Sequence, residues 1–299
     1  MGLFRWISRR LDPGHNLEEL ASRLKVKPSE LQSLKPNYRS FFIKKRAGGL
    51  RTIEAPDDQL KRMQRLILRR VLSGLKTHRC AFGFERGRSI VGHAQHHCRQ
   101  AVVIRLDIVG FFPATSSARI YNYFRFIGWN RRASRLLTKL TTHNGHLPQG
   151  APTSPRLSNL VNYRMDARLE AMLWRVAGSD ARFTRYADDL TFSLGYEHSE
   201  VVGEIIRKAS MIVRDEGYRL HRKKKTHTLR AHQRQTVAGL VVNETVNLPR
   251  ETRRWLRAVE HRALHDRAAT LSPTQRAGWR SLLNMIHTQR NVGSSAQAR

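Results

Sequence analysis

The stretch Phe183-Thr184-Arg185-Tyr186-Ala187-Asp188-Asp189-Leu190-Thr191-Phe192-Ser193-Leu194 sets two runs of β-branched, aromatic and aliphatic residues on either side of two adjacent carboxylates. Neither run contains Pro or Gly, so the segment reads as two short strands meeting at an acidic turn. Side by side and close to apolar strands, Asp188 and Asp189 repel each other and lose hydration. A bound divalent cation would cancel that cost, and carboxylate oxygens suit Mg²⁺ or Mn²⁺. An ordinary acidic hairpin turn is the other reading of this segment, and both stay open on these residues alone.

A third carboxylate tips the balance toward a metal. Asp107 ends the apolar run Ala101-Val102-Val103-Ile104-Arg105-Leu106-Asp107, which reads as a strand buried on both faces. An Asp there is costly without a partner, and such acids cluster where chemistry is done. One carboxylate on a strand and two on a neighbouring hairpin form a donor set for two metal ions, the arrangement that supports phosphoryl transfer.

Charge points to the substrate. The chain of 299 residues carries 55 Lys+Arg against 23 Asp+Glu, a formal net charge of +32. Basic runs recur at Arg9-Arg10, Arg69-Arg70, Arg131-Arg132, Lys223-Lys224-Lys225 and Arg253-Arg254. Any one run is usually a solvated face, but together they are the footprint of a polyanion binder. No apolar run is long enough to span a bilayer and the start lacks a secretory signal, so nucleic acid is expected rather than membrane. With only Cys80 and Cys98 there is no disulfide framework, and a cytoplasmic protein with reduced thiols is expected.

Around these acids the chain reads as follows. Asn16 caps a helix from Leu17 to Leu24, and a second follows from Pro28 to Leu34; the pair is a helix-turn-helix reader or, at least equally, a packing element. Residues 41–56 read as a hairpin bending at Gly48-Gly49, with basic residues on both arms. Gln59 to Leu75 is an amphipathic helix. His93 and His97 fall one helical turn apart, a spacing for zinc, although hydrogen bonding to backbone or nucleic acid is the more ordinary use. Leu147-Pro148-Gln149-Gly150-Ala151-Pro152-Thr153 is a turn-rich loop that feeds a helix capped by Ser154 and running to about Val176.

In this order the pieces resemble a reverse transcriptase, and within that family the bacterial retron type. Asp107-Ile108-Val109-Gly110-Phe111-Phe112-Pro113 is similar to the family's first metal motif, Pro148-Gln149-Gly150-Ala151-Pro152-Thr153-Ser154-Pro155 to its template and nucleotide loop, and Tyr186-Ala187-Asp188-Asp189 to its catalytic turn. Arg51 with Ala55-Pro56, and Ala81-Phe82-Gly83-Phe84 with Gly87-Arg88-Ser89-Ile90, match its other motifs; the resemblance covers roughly residues 38–260. Two retron motifs are altered: His93 stands where Asn is usual ahead of Ala94 and His97, and Val237-Ala238-Gly239 replaces Val-Thr-Gly.

The resemblance implies an α+β right-hand polymerase. Residues 1–37 would be an N-terminal helical segment and 38–100 the fingers, with 114–150 shared between fingers and palm. Residues 101–245 would be a palm of antiparallel sheet backed by helices, and 246–299 a helical thumb with a mobile tail. It implies two Mg²⁺ ions (or Mn²⁺) held by Asp107, Asp188, Asp189 and the backbone carbonyl of Ile108. Nucleotide contacts are implied for Arg51, Lys45, Phe112, Gln149, Gly150 and Lys224, although an extra residue leaves Lys224 and Lys225 both eligible for the last. RNA contacts are implied for His97, Arg253, Arg254 and Arg257. The implied function is copying part of a structured non-coding RNA from dNTPs into RNA-linked single-stranded DNA, in anti-phage defence and with a separate effector protein. Another prokaryotic reverse transcriptase (group II intron, diversity-generating or abortive-infection type) and a non-catalytic RNA binder on the same scaffold are the alternatives.

Overall fold

The computed structural model describes residues 14–44, 48–221, 226–265 and 270–296. Within that range the chain is α+β, as its sequence indicates, and divides into two compact units. One draws on residues 1–79, 109–167 and 215–218, the other on 80–108, 168–214 and 219–299.

The first unit is mostly helical. Helices Leu17–Leu24 and Pro28–Ser33 open it, and Asn16 caps the first by accepting from Glu19 N–H at 2.9 Å. Leu17, Leu20, Leu24 and Leu31 face its core, so the pair is a packing element. Strands β1 (Tyr38–Lys44) and β2 (Leu50–Pro56) form the expected antiparallel hairpin. The expected helix beyond it runs from Asp58 to Ile67 and then widens into a π turn, Leu68–Leu72. Across this widened turn Ile67 and Leu72, five residues apart, are both buried.

Helices Ser117–Phe126, Arg131–Thr141 and Ser154–Val161 complete this core around Phe124, Trp129, Leu137 and Leu157. The last differs from expectation at both ends. Thr153 occupies the cap position without a side-chain cap bond, and Ser154 lies inside the helix. At the other end the helix breaks at Asn162, whose amide donates to Ser158 C=O at 2.8 Å and to the Tyr218 hydroxyl at 3.0 Å; a separate helix spans Tyr163–Ala177. Spending its side chain on the preceding turn lets Asn162 leave the helical conformation.

The second unit is built on a four-stranded antiparallel sheet. Its strands are β3 (Val102–Asp107), β4 (Arg182–Tyr186), β5 (Asp189–Leu194) and β6 (His227–Arg230), in the order β4-β5-β3-β6. Alternation along β3 and β5 puts Ile104, Leu106, Leu190, Phe192 and Leu194 on one face and Asp107, Arg105, Asp189, Thr191 and Ser193 on the other. A small ladder, β7 (Thr236–Val237) with β8 (Leu240–Val241), joins helices Ile90–Gln95, Arg250–Leu264 and Pro273–Ala296 in a separate apolar cluster around Val91, Val103, Leu256 and Ile286.

Candidate active site

Backbone register brings the acids together. Asp107 and Asp189 are direct cross-strand partners at the ends of β3 and β5, so their side chains leave the same face as neighbours. Asp188 sits in the turn that joins β4 to β5, preceded by Ala187 at φ +55. Its carbonyl accepts from Ile108 N–H at 2.9 Å, which ties the turn to the end of β3. Ile108 itself is buried beside the carboxylates.

Two basic side chains neighbour this acidic pair. Arg105, two residues before Asp107 and on the same face, reaches Asp189 Oδ2 at 3.0 Å. His221 approaches Asp107 Oδ1 with Nε2 at 3.2 Å, while its N–H donates to the Asp107 carbonyl at 2.8 Å. The sequence reading missed both. For Arg105 the i−2 spacing from Asp107 on a strand was an available signal; for His221, brought in by a loop after a helix, there was none. Hard oxygen donors gathered at one ladder end, with the Arg105 guanidinium already drawn to them, fit a divalent cation.

Behind the turn the polar face of the sheet is sealed. His97 lies beyond the end of its helix and is fully buried. Its Nδ1 is 2.7 Å from Ser193 Oγ and its Nε2 2.6 Å from Thr184 Oγ1. Both nitrogens are thereby taken, which leaves no lone pair for zinc and no edge for RNA. The expected RNA contact at His97 gives way to a structural role, because the ring closes over the hydroxyl-bearing face of β4 and β5. His93, also buried, packs 5.6 Å from the Tyr186 ring and 5.9 Å from His97. Burial pulls His93 down to about 3 and His97 well below the ordinary imidazole value, so both are neutral. Gly83 approaches from below: a Cβ there would lie 3.0 Å from Ala187 N and 3.3 Å from the Tyr186 ring.

The remaining expected residues divide between the units. Arg51 is exposed on β2 opposite Ile43. Phe112 follows Gly110, whose φ is +55, in the short helix Phe111–Ala114, and its half-buried ring packs edge-on against Phe111 at 5.5 Å. Gln149 accepts from Glu54 N–H at 2.8 Å, and Gly150, at φ +134, lies flat against the same strand. Arg253, Arg254 and Arg257 are exposed along one helix. Lys45 and Lys224 lie outside the described residues. Among the described residues no helix is long and apolar enough to cross a membrane.

Comparison with known proteins agrees with the motifs. The model of the family described as reverse transcriptase (RNA-dependent DNA polymerase) matches residues 43–256. The retron Mx65 reverse transcriptase of Myxococcus xanthus is 36% identical over 243 residues, covering 75% of this chain and 56% of that protein. The retron Mx162 reverse transcriptase of the same organism is 35% identical over 257 residues, covering 75% of this chain and 52% of that protein. The retron Ec86 reverse transcriptase of Escherichia coli is 29% identical over 300 residues, covering 97% of this chain and 90% of that protein. The chain thus spans about half the length of the two Myxococcus relatives.

Proposed function

This chain belongs to the reverse transcriptase family, and from that premise we propose that it is the RNA-directed DNA polymerase of a retron. It copies part of a structured non-coding RNA into single-stranded DNA linked to that RNA. The observation that carries this reading is the cross-ladder pairing of Asp107 with Asp189, with Asp188 in the adjoining turn, inside a chain of net charge +32.

Enzymes of this family use divalent metal ions. Here Asp107, Asp188, Asp189 and the Ile108 carbonyl would hold two Mg²⁺ (or Mn²⁺), which supply activation of the primer hydroxyl and charge neutralisation at the nucleotide phosphates. The chain's own side chains do the positioning. Arg51 grips the dNTP triphosphate, since a guanidinium engages phosphate oxygens in pairs. Gln149 and Gly150 steady the incoming base pair. Phe112 places a ring where a ribose 2′-OH would have to go. Arg253, Arg254 and Arg257 follow the phosphate backbone of the bound RNA.

In this reading the fingers, palm and thumb follow the boundaries set out from the sequence. The partners are the cognate RNA, its DNA product and a separate effector protein in anti-phage defence.

Expressing the chain with its flanking genomic DNA and analysing the co-purified nucleic acid tests the retron assignment. RNA covalently joined to DNA is expected; RNA alone from an active enzyme would remove the retron type. Asp188→Asn is expected to lower Mg²⁺-dependent primer extension below about 10⁻³ of wild type while RNA binding persists. Extension at the wild-type rate would exclude the carboxylate mechanism. Phe112→Ala is expected to relax selection of dNTPs over NTPs by about tenfold, read from single-nucleotide incorporation.

A further inference from the structure

The loop carrying Gln149 and Gly150 is held by a residue to which the sequence reading gives no role. Glu54, on β2 three residues past Arg51, is buried. Its N–H donates to Gln149 C=O at 2.8 Å. Its own C=O lies 3.0 Å from where a Cβ on Gly150 would be, so the strand backs directly onto that glycine. The Glu54 carboxylate points to the start of the same loop: Oε2 is 3.0 Å from His146 Nε2, and Oε1 is 4.0 Å from His143 Nε2.

That start is rigid. His143 and His146 exchange two backbone hydrogen bonds of 2.9 Å around Asn144 and Gly145, whose φ values of +46 and +79 make the Asn-Gly pair a tight left-handed turn. The His143 ring stacks on Tyr38 at 4.3 Å, and the Tyr38 hydroxyl accepts from Gln64, which also donates to Leu140 C=O at 2.9 Å. One side chain therefore clamps the front of the loop while the backbone of the same residue clamps its end.

We propose that Glu54 is a positioning residue for nucleotide selection: by holding His146, whose backbone is bonded to His143, it fixes Gln149 and Gly150 against the strand that bears Arg51. This rests on the reading of Gln149 and Gly150 as nucleotide-positioning groups. Glu54 touches no substrate itself. Its loss is felt as a loosened nucleotide site, a rise in the KM for dNTP with kcat largely retained.

The test is steady-state primer extension by the full chain on an RNA template, comparing Glu54→Ala, Glu54→Gln, His146→Ala and Gln149→Ala. Glu54→Ala is expected to raise the dNTP KM about tenfold and to change kcat less than about threefold. Glu54→Gln, which keeps an acceptor for His146, recovers most of that rise, and His146→Ala reproduces the Ala variant. A KM unchanged in Glu54→Ala while Gln149→Ala raises it overturns the clamp and leaves the loop's role standing. A KM unchanged in Gln149→Ala overturns the reading beneath it. Should Glu54→Ala fail to fold, the Glu54→Gln and His146→Ala pair decides: an unaltered KM in His146→Ala rejects the proposal.

Discussion

The acidic turn and the Gln149-Gly150 loop are fixed in opposite ways. At the turn, placement comes from the ladder: Asp107 and Asp189 meet because β3 and β5 pair in that register, and the Ile108–Asp188 bond extends the pairing by one step. Register depends on pattern and backbone, so many side chains satisfy it. At the loop no ladder runs through: single backbone bonds (Glu54 to Gln149, Leu147 to Thr115, the His143–His146 pair) are joined by side chains, a carboxylate, two imidazoles and a stacked tyrosine. Each region also leans on a glycine, in reversed senses. Gly83 supports the turn from beneath, whereas Gly150 is the part of the loop that is supported.

That reversal orders the substitutions. Gly150→Ala faces two costs at once: φ +134 disfavours any side chain, and the new Cβ meets Glu54 O and Ile53 Cγ2 at 3.0 Å. Backbone strain of about 1–3 kcal/mol and a displaced loop are expected to lower kcat/KM for dNTP about 10²-fold. Gly83→Ala carries only the contact cost, against Ala187 N and the Tyr186 ring. Since the turn is braced by the ladder on its other side, a loss of about tenfold, in kcat rather than KM, is expected. If the two variants instead lose the same parameter to the same extent, the contrast between a ladder-held and a clamp-held site fails. Single-turnover extension across a dNTP series reads both.

What the sequence made legible follows the same division. Strand pairs and the acidic turn announce themselves through composition and alternation, because Thr184, Leu190 and Phe192 need only be β-formers of the right face. The hairpin was legible over residues 41–56 from its Gly48-Gly49 bend, and its first strand begins three residues earlier, at Tyr38. The clamp was not, since nothing in Arg51-Thr52-Ile53-Glu54 says that the acid will meet histidines some ninety positions later. Nor was His221 legible against Asp107. The helical spacing of His93 and His97 allowed shared ligation, with hydrogen bonding to backbone or nucleic acid the more ordinary use; the helix ends at Gln95 and His97 bonds sheet hydroxyls instead. Helix ends failed by a residue or a turn where a buried side chain, such as Leu72 or Asn162, decided the local geometry.

The histidines behind the turn sharpen the contrast in a property other than activity. His93 and His97 are buried and neutral, their protonation opposed first by lost hydration, then by His96 and Arg105 for His93 and by His93, His96 and Arg182 for His97. A histidine with a lowered folded value binds its proton more readily when unfolded. Its stabilising effect is therefore complete above the unfolded value of about 6.5 and is lost as pH falls toward the folded value. For His93, with a folded value of about 3, the loss between pH 6.5 and 5 amounts to about 2 kcal/mol. Urea unfolding at pH 7 and pH 5 measures it. His93→Asn removes that titration, so its stability should fall less over the same interval, whatever the substitution costs at pH 7. Equal losses in wild type and variant would mean that the ring beneath Tyr186 accepts a proton without unfolding, and that the support of the turn is wetter than the buried ring implies.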